Sequence, residues 1–86
     1  MEIKDLRDKI DIIDREILRL FEERMEISRE IAAIKKKNGI PVLDRSREEE
    51  KLEAVKKTAG PELEAYAAEL YEEIFRLSRD LQEKQG

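Results

Sequence analysis

At 86 residues the chain points to one domain, and 47% charged against 5% aromatic residues leaves a lean core of Ile, Leu and Ala. The net charge of −4 argues against duplex nucleic acid as a partner, and the absence of Cys and His removes disulfides, thiolate chemistry, Cys-based metal sites, and the commonest general base and metal ligand. No 18-residue apolar run or signal peptide is present, so no membrane partner is expected and the chain reads as cytoplasmic.

The first helix is predicted from Ile3 to about Lys37. Ile3, Leu6, Ile10, Ile13, Ile17, Leu20, Arg24, Ile27, Ile31 and Ile34 alternate spacings of three and four, with no Gly or Pro between them. Such a helix is roughly 50 Å long at 1.5 Å per residue, whereas a compact chain of this size has a radius of gyration of about 12 Å. The helix therefore overhangs a monomer, and its apolar seam asks for a second copy, most simply in a two-fold dimer. Asn38-Gly39 closes the helix, and Ile40-Pro41-Val42-Leu43 cannot continue it.

A short second helix is expected over about 45–58. Asp44 is a candidate N-cap, and Ser46 with Glu49 has capping-box spacing as a rival start. Gly60-Pro61 reads as a stop and a restart, opening a third helix over about 62–84. Its seam is Leu63, Ala67, Leu70, Ile74, Leu77 and Leu81, with Tyr71, Phe75, Ser78 and Gln82 on a neighbouring stripe. The expected fold is all-α, three helices in a long–short–long order without a sheet. High Glu, Lys and Arg content with one Asn and no Cys fits a thermophilic source or an engineered sequence.

Arg24 occupies a seam position where an apolar residue belongs, and a buried guanidinium is costly unless an anion meets it. Ser28 and Lys35 follow on the same face, Lys35 about 16 Å further along the axis. Two readings stand side by side: Arg24 pairs with a Glu on another helix or snorkels to solvent, or it converges with Lys35 on a small anion. Arg7 lies some 25 Å from Arg24 and cannot share a site with it on one straight helix, but antiparallel helices in a dimer would bring the two together. Taken singly, Asp44 is a cap, Arg47 and Glu48 are solvated charges, and Ser78 and Gln82 are small polar residues at a helix boundary. Together with Arg24, Lys35 and Arg7 they can hold a doubly anionic ligand. No nucleophile has a base beside it and no metal cluster is evident, so covalent and proton-transfer chemistry is disfavoured. Fixing a flexible dianion and stabilising charge on an oxygen remains, which is what a unimolecular rearrangement needs.

The ordered motifs extend this reading. Leu6-Arg7-x-x-Ile10-x-x-Ile13-Asp14, Glu23-Arg24-Met25, Lys35, Ile40-Pro41-Val42-x-Asp44-x-x-Arg47-Glu48 and Leu77-Ser78-x-x-Leu81-Gln82 resemble, in order and at compatible spacings, the all-helical chorismate mutases of the shikimate pathway, the AroQ class. The resemblance covers nearly the whole chain and is to the free-standing form. It implies an intertwined homodimeric helical bundle with two active sites, each drawing on both chains. It also implies isomerisation of chorismate to prephenate by a [3,3] shift without cofactor or metal. By the same resemblance, Arg24 and the partner's Arg7 bind the two carboxylates. Lys35 and Gln82 donate to the ether oxygen, Glu48 and the backbone near Asp44 hold the ring hydroxyl, and Arg47 and Ser78 complete the polar shell. Two rivals are an isochorismate pyruvate-lyase on the same scaffold and a non-catalytic or designed helical oligomer. Asp44 and Glu48 favour the mutase over the lyase, and a purely structural bundle would carry Leu or Ile at position 24.

Overall fold

A computed structural model describes residues 2–85; Met1 and Gly86 lie outside the described residues. Three helices make up the fold: α1 (Ile3–Lys37), α2 (Arg45–Thr58) and α3 (Glu64–Gln85). The 35-residue α1 sets the length of a molecule that measures 55 × 25 × 15 Å, with a radius of gyration of 16.0 Å. A packed chain of this size would be near 12 Å. No helix among the described residues is long and apolar enough to cross a membrane.

Local chemistry explains the helix boundaries. At the start of α1 the Asp5 side chain accepts from the Glu2 backbone N–H at 3.4 Å. At its end the chain closes in a Schellman turn, with Ile40 N–H donating to the Lys35 carbonyl at 2.8 Å and Gly39 N–H to that of Lys36 at 3.3 Å. Gly39 has φ +67°, a conformation that costs a Cβ-bearing residue but not glycine. This turn sends residues 40–43 back along α1. Asp44, not Ser46, caps α2: its Oδ1 accepts from the Arg47 N–H at 3.0 Å, so α2 begins at Arg45. The third helix starts later than the sequence suggests. Leu63 N–H bonds to the Gly60 carbonyl at 2.9 Å, so Pro61 serves a tight turn rather than a first helical turn, and α3 begins at Glu64.

Within the chain α3 is the central element, packing on both α1 and α2, while α1 and α2 do not pack directly on each other. The buried apolar residues among those described are Met25, Ala32, Ala68 and Phe75, joined by Ser28 and Ser78. On α1 this is not the Ile/Leu seam but the adjacent stripe Phe21, Met25, Ser28, Ala32, whose small members let α3 come close. The seam itself faces away: Ile3 is 66% exposed, Ile13 56% and Ile31 45%. On α3 the same displacement holds. Leu70 and Leu77 are exposed, and the stripe through Phe75 and Ser78 turns inward.

Residues 3–20 of α1 are all exposed. This arm keeps its helical form through pairs along its own surface, among them Lys4–Asp8 at 3.1 Å and Arg19–Glu23 at 3.2 Å. Arg19 also binds Glu16, and that hydrogen bond holds the Glu16 carboxyl below the usual glutamate range. Such exposed pairs are worth tenths of a kcal/mol, roughly, and do not replace a core. Among the described residues few apolar side chains are buried and many, from Ile3 to Leu77, are exposed.

Candidate active site

The Schellman turn, the cap at Asp44 and the inward stripe of α3 converge on one cleft of about 470 Å³. The C-terminal half of α1 forms one wall with Arg24, Ser28 and Lys35. The entry to α2 supplies Asp44, Arg47, Glu48 and Lys51, and α3 supplies Phe75, Ser78, Arg79 and Gln82. Five cations face two carboxylates, in a chain whose net charge is −4. The cleft therefore carries a local excess of positive charge.

Arg24 resolves the question raised by its seam position. It is half-buried, and no carboxylate among the described residues pairs with it. Its guanidinium instead lies 5.8 Å from the centroid of the Phe75 ring. A cation on an aromatic face keeps all its N–H donors available to a ligand. Lys35 reaches over the returning loop, where Nζ donates to the Val42 carbonyl at 2.8 Å. The residue whose carbonyl closes the Schellman turn thus also ties down residues 40–43 with its side chain, which fixes the ammonium at the cleft wall.

A hydrogen-bonded chain lines the floor. Gln82 Nε2 donates to Ser78 Oγ at 3.0 Å, and Ser78 Oγ donates to Ser28 Oγ at 2.9 Å. Both serines are buried. One hydrogen of the Gln82 amide is used in this way, which leaves the second for a ligand. Its Oε1 is buried without a partner. Glu48, from the first turns of α2, is bound on both carboxylate oxygens by Nη1 of Arg79 on α3.

Seven of the eight site residues expected from the sequence line this cleft: Arg24, Lys35, Asp44, Arg47, Glu48, Ser78 and Gln82. Arg7 does not; it is exposed on the free arm of α1, as the helix geometry requires. Sequence reasoning gave no role to Arg79, Lys51 or Phe75. A signal for Arg79 was present, since it lies four residues after Phe75 and three before Gln82 on one helical face. A second hollow of about 570 Å³ shares Lys35, Val42 and Gln82 with the cleft. It is otherwise lined by Ala32, Ala33, Ile40 and Pro41 with Arg29, Lys36 and Glu83, and it lacks Arg24, Arg47 and Ser78.

Comparison with known proteins shows the family and the fold. The family description "Chorismate mutase type II" matches residues 6–83. A chorismate mutase structure from Thermus thermophilus superposes with a TM-score of 0.92 at 39% identity, covering 96% of each chain. The T-protein of Haemophilus influenzae is 35% identical over 74 residues, 86% of this chain but 19% of that protein. The chorismate mutase of Methanocaldococcus jannaschii is 43% identical over 47 residues, 55% of this chain and 48% of that one. The chain thus spans less than half the length of these two curated relatives. It belongs to the type II chorismate mutase family.

Proposed function

We propose that the chain catalyses the rearrangement of chorismate to prephenate, in the cytoplasm, as a step toward phenylalanine and tyrosine. The observation that carries this reading is Arg24: a guanidinium at a heptad core position, unpaired with any carboxylate among the described residues and seated on Phe75 in a cation-rich cleft. A residue that costs stability at its position and finds no internal anion is placed for an external one.

The substrate is a flexible dianion with an enol ether. Its two carboxylates fit Arg24 and one further arginine. In our reading that arginine is Arg7 of the partner subunit, within a homodimer whose paired α1 seams bury the exposed Ile and Leu. With both carboxylates held, the allyl and vinyl arms are kept within bonding distance, which removes much of the entropic part of the barrier. As the C–O bond lengthens and the C–C bond forms, negative charge gathers on the ether oxygen. Lys35 Nζ and the free hydrogen of the Gln82 amide are the donors for it, each worth about 2.7–4 kcal/mol if it behaves as an oxyanion donor. Glu48, with the backbone near Asp44, accepts the ring hydroxyl, and Arg47 and Ser78 close the polar shell. No step requires a proton to leave the substrate, so neither a base nor a cofactor is called for.

The test is direct. Purified protein is added to chorismate, loss of its ultraviolet absorbance is followed, and the product is acidified to convert prephenate to phenylpyruvate. Acceleration over buffer with phenylpyruvate formed supports the reading. No acceleration overturns it, and pyruvate released from isochorismate instead favours lyase chemistry on the same scaffold.

A further inference from the structure

Glu48 carries a role in the proposed reaction that its own position does not secure. It sits in the first turns of α2 with three rotatable side-chain bonds, one turn before Lys51, which could draw its carboxylate away from the cleft. It is also a negative charge in a cleft meant for a dianion. The structure answers both problems with a residue from a different helix. Arg79 of α3 lies across from Glu48, and its Nη1 engages both carboxylate oxygens.

This pair differs in kind from the surface pairs. Lys4–Asp8, Arg19–Glu16, Arg29–Glu26, Arg76–Glu73 and Lys84–Asp80 each lie three or four residues apart on one helix, with side chains mostly half or more exposed. Arg79 and Glu48 are 31 residues apart, and their side chains are only 30% and 25% exposed. Less solvent means less screening and a more fixed geometry.

We propose that Arg79 is a positioning residue, acting on the substrate through Glu48, which it aims at the ring hydroxyl and whose charge it offsets. This rests on the functional reading above. A carboxylate offers about four lone-pair directions. Arg79 takes up those facing α3 and leaves the cleft-facing ones for a hydroxyl donor. The hydroxyl lies on the ring carbon next to the breaking C–O bond but itself makes and breaks no bond, so holding it is binding made largely alike in ground and transition states, and its loss reads out mainly in KM.

The experiment compares two substrates. One is chorismate; the other is an analogue that keeps both carboxylates and the enol ether but lacks the ring hydroxyl. With chorismate, Arg79→Ala is expected to raise KM by about ten- to a hundredfold, the range for losing a hydrogen bond to a charged group. The kcat should stay within about threefold of wild type. With the deoxy analogue the loss in Arg79→Ala should be several-fold smaller than with chorismate, because Glu48 then has no hydroxyl to hold and only its uncompensated charge is felt. Arg79→Lys should recover part of the loss on chorismate, and Arg79→Ala combined with Glu48→Gln should be no worse than Glu48→Gln alone. If thermal denaturation shows Arg79→Ala unfolded, Arg79→Gln, closer in length, carries the same comparison. Equal losses on both substrates, or a double variant clearly worse than Glu48→Gln, would overturn the proposal. Wild-type protein inert toward chorismate would instead overturn the functional reading beneath it.

Discussion

Ser78 Oγ donates to Ser28 Oγ at 2.9 Å across the α1–α3 contact, and the same oxygen accepts from Gln82 Nε2 at 3.0 Å. One hydroxyl therefore joins the fold to the site. Ser78→Ala releases the Gln82 amide. A lost hydrogen bond of about 1 kcal/mol corresponds to roughly a five- to tenfold fall in kcat. Ser28→Ala leaves Gln82 its anchor and deprives only the Ser78 proton of its acceptor. It should cost about 1–3 kcal/mol of stability with a smaller effect on kcat. Denaturant unfolding and steady-state kinetics on both variants separate the two roles; equal kcat losses would mean that the chain of hydrogen bonds does not point toward Gln82.

Arg24 invites a comparison of stability with activity. Its one interaction among the described residues is with the Phe75 ring, worth about 0.5–1 kcal/mol at a partly exposed site. Arg24→Ala should therefore lose about 10²–10³-fold in activity while the unfolding midpoint moves little. Arg24→Leu should be inactive and at least as stable as wild type, since it completes the heptad seam. A variant whose stability falls as far as its activity would show that the guanidinium serves the fold instead.

Much of this arrangement is legible in the residues. The start and end of α1 follow from heptad spacing and Asn38-Gly39; Asp44 is one of two caps the residues offer, and it is the motif resemblance that sets Ser78 and Gln82 beside Arg24 and Lys35. Three things are not. Pro61 suits both a first helical turn and a tight turn, and only the Leu63–Gly60 bond decides between them. Which stripe of α1 meets its own α3 is hidden as well, because Ile17, Leu20 and Ile27 and the adjacent Phe21 and Met25 are all apolar. Burial of Ser28 and Ala32 in their place reflects how closely α3 approaches. Arg79 shares a helical face with Phe75 and Gln82, but its partner Glu48 lies 31 residues away and shows only once α2 and α3 are packed together.

The proposed sharing of each site between two chains makes a quantitative prediction for mixed chains. Arg7→Ala and Arg24→Ala should each be nearly inactive as homodimers. In a hybrid dimer one cleft pairs an intact Arg24 with an intact Arg7, and the other has neither. If chains exchange freely, half the dimers are hybrids with one working site each, so the mixture should recover about a quarter of wild-type activity. Equimolar refolding followed by the chorismate assay measures this. No recovery, despite hybrids seen by mass spectrometry, would exclude Arg7 as the second carboxylate ligand.

Gln82 gives the clearest dependence on pH. The amide does not titrate, and the chain has no His, so wild-type rates should be nearly flat from mildly acid to mildly alkaline pH. Gln82→Glu places a carboxyl at the same point. When ionised it can only accept, and it sets a negative charge beside the ether oxygen where negative charge is growing. When protonated it again offers a hydrogen. Activity is therefore present below the pKa of the introduced group and lost as pH rises through it, the ordinary glutamate value being about 4.3. The nearby cations Arg24, Lys35, Lys51 and Arg79 pull that value down, while burial at the cleft floor pushes it up. The expected profile is low activity at neutral pH rising several-fold toward the acid limit, measured as kcat/KM across a buffer series. Equal rates at neutral and acid pH would show that no hydrogen from position 82 reaches the ether oxygen, leaving Lys35 as its only donor among the residues assigned here.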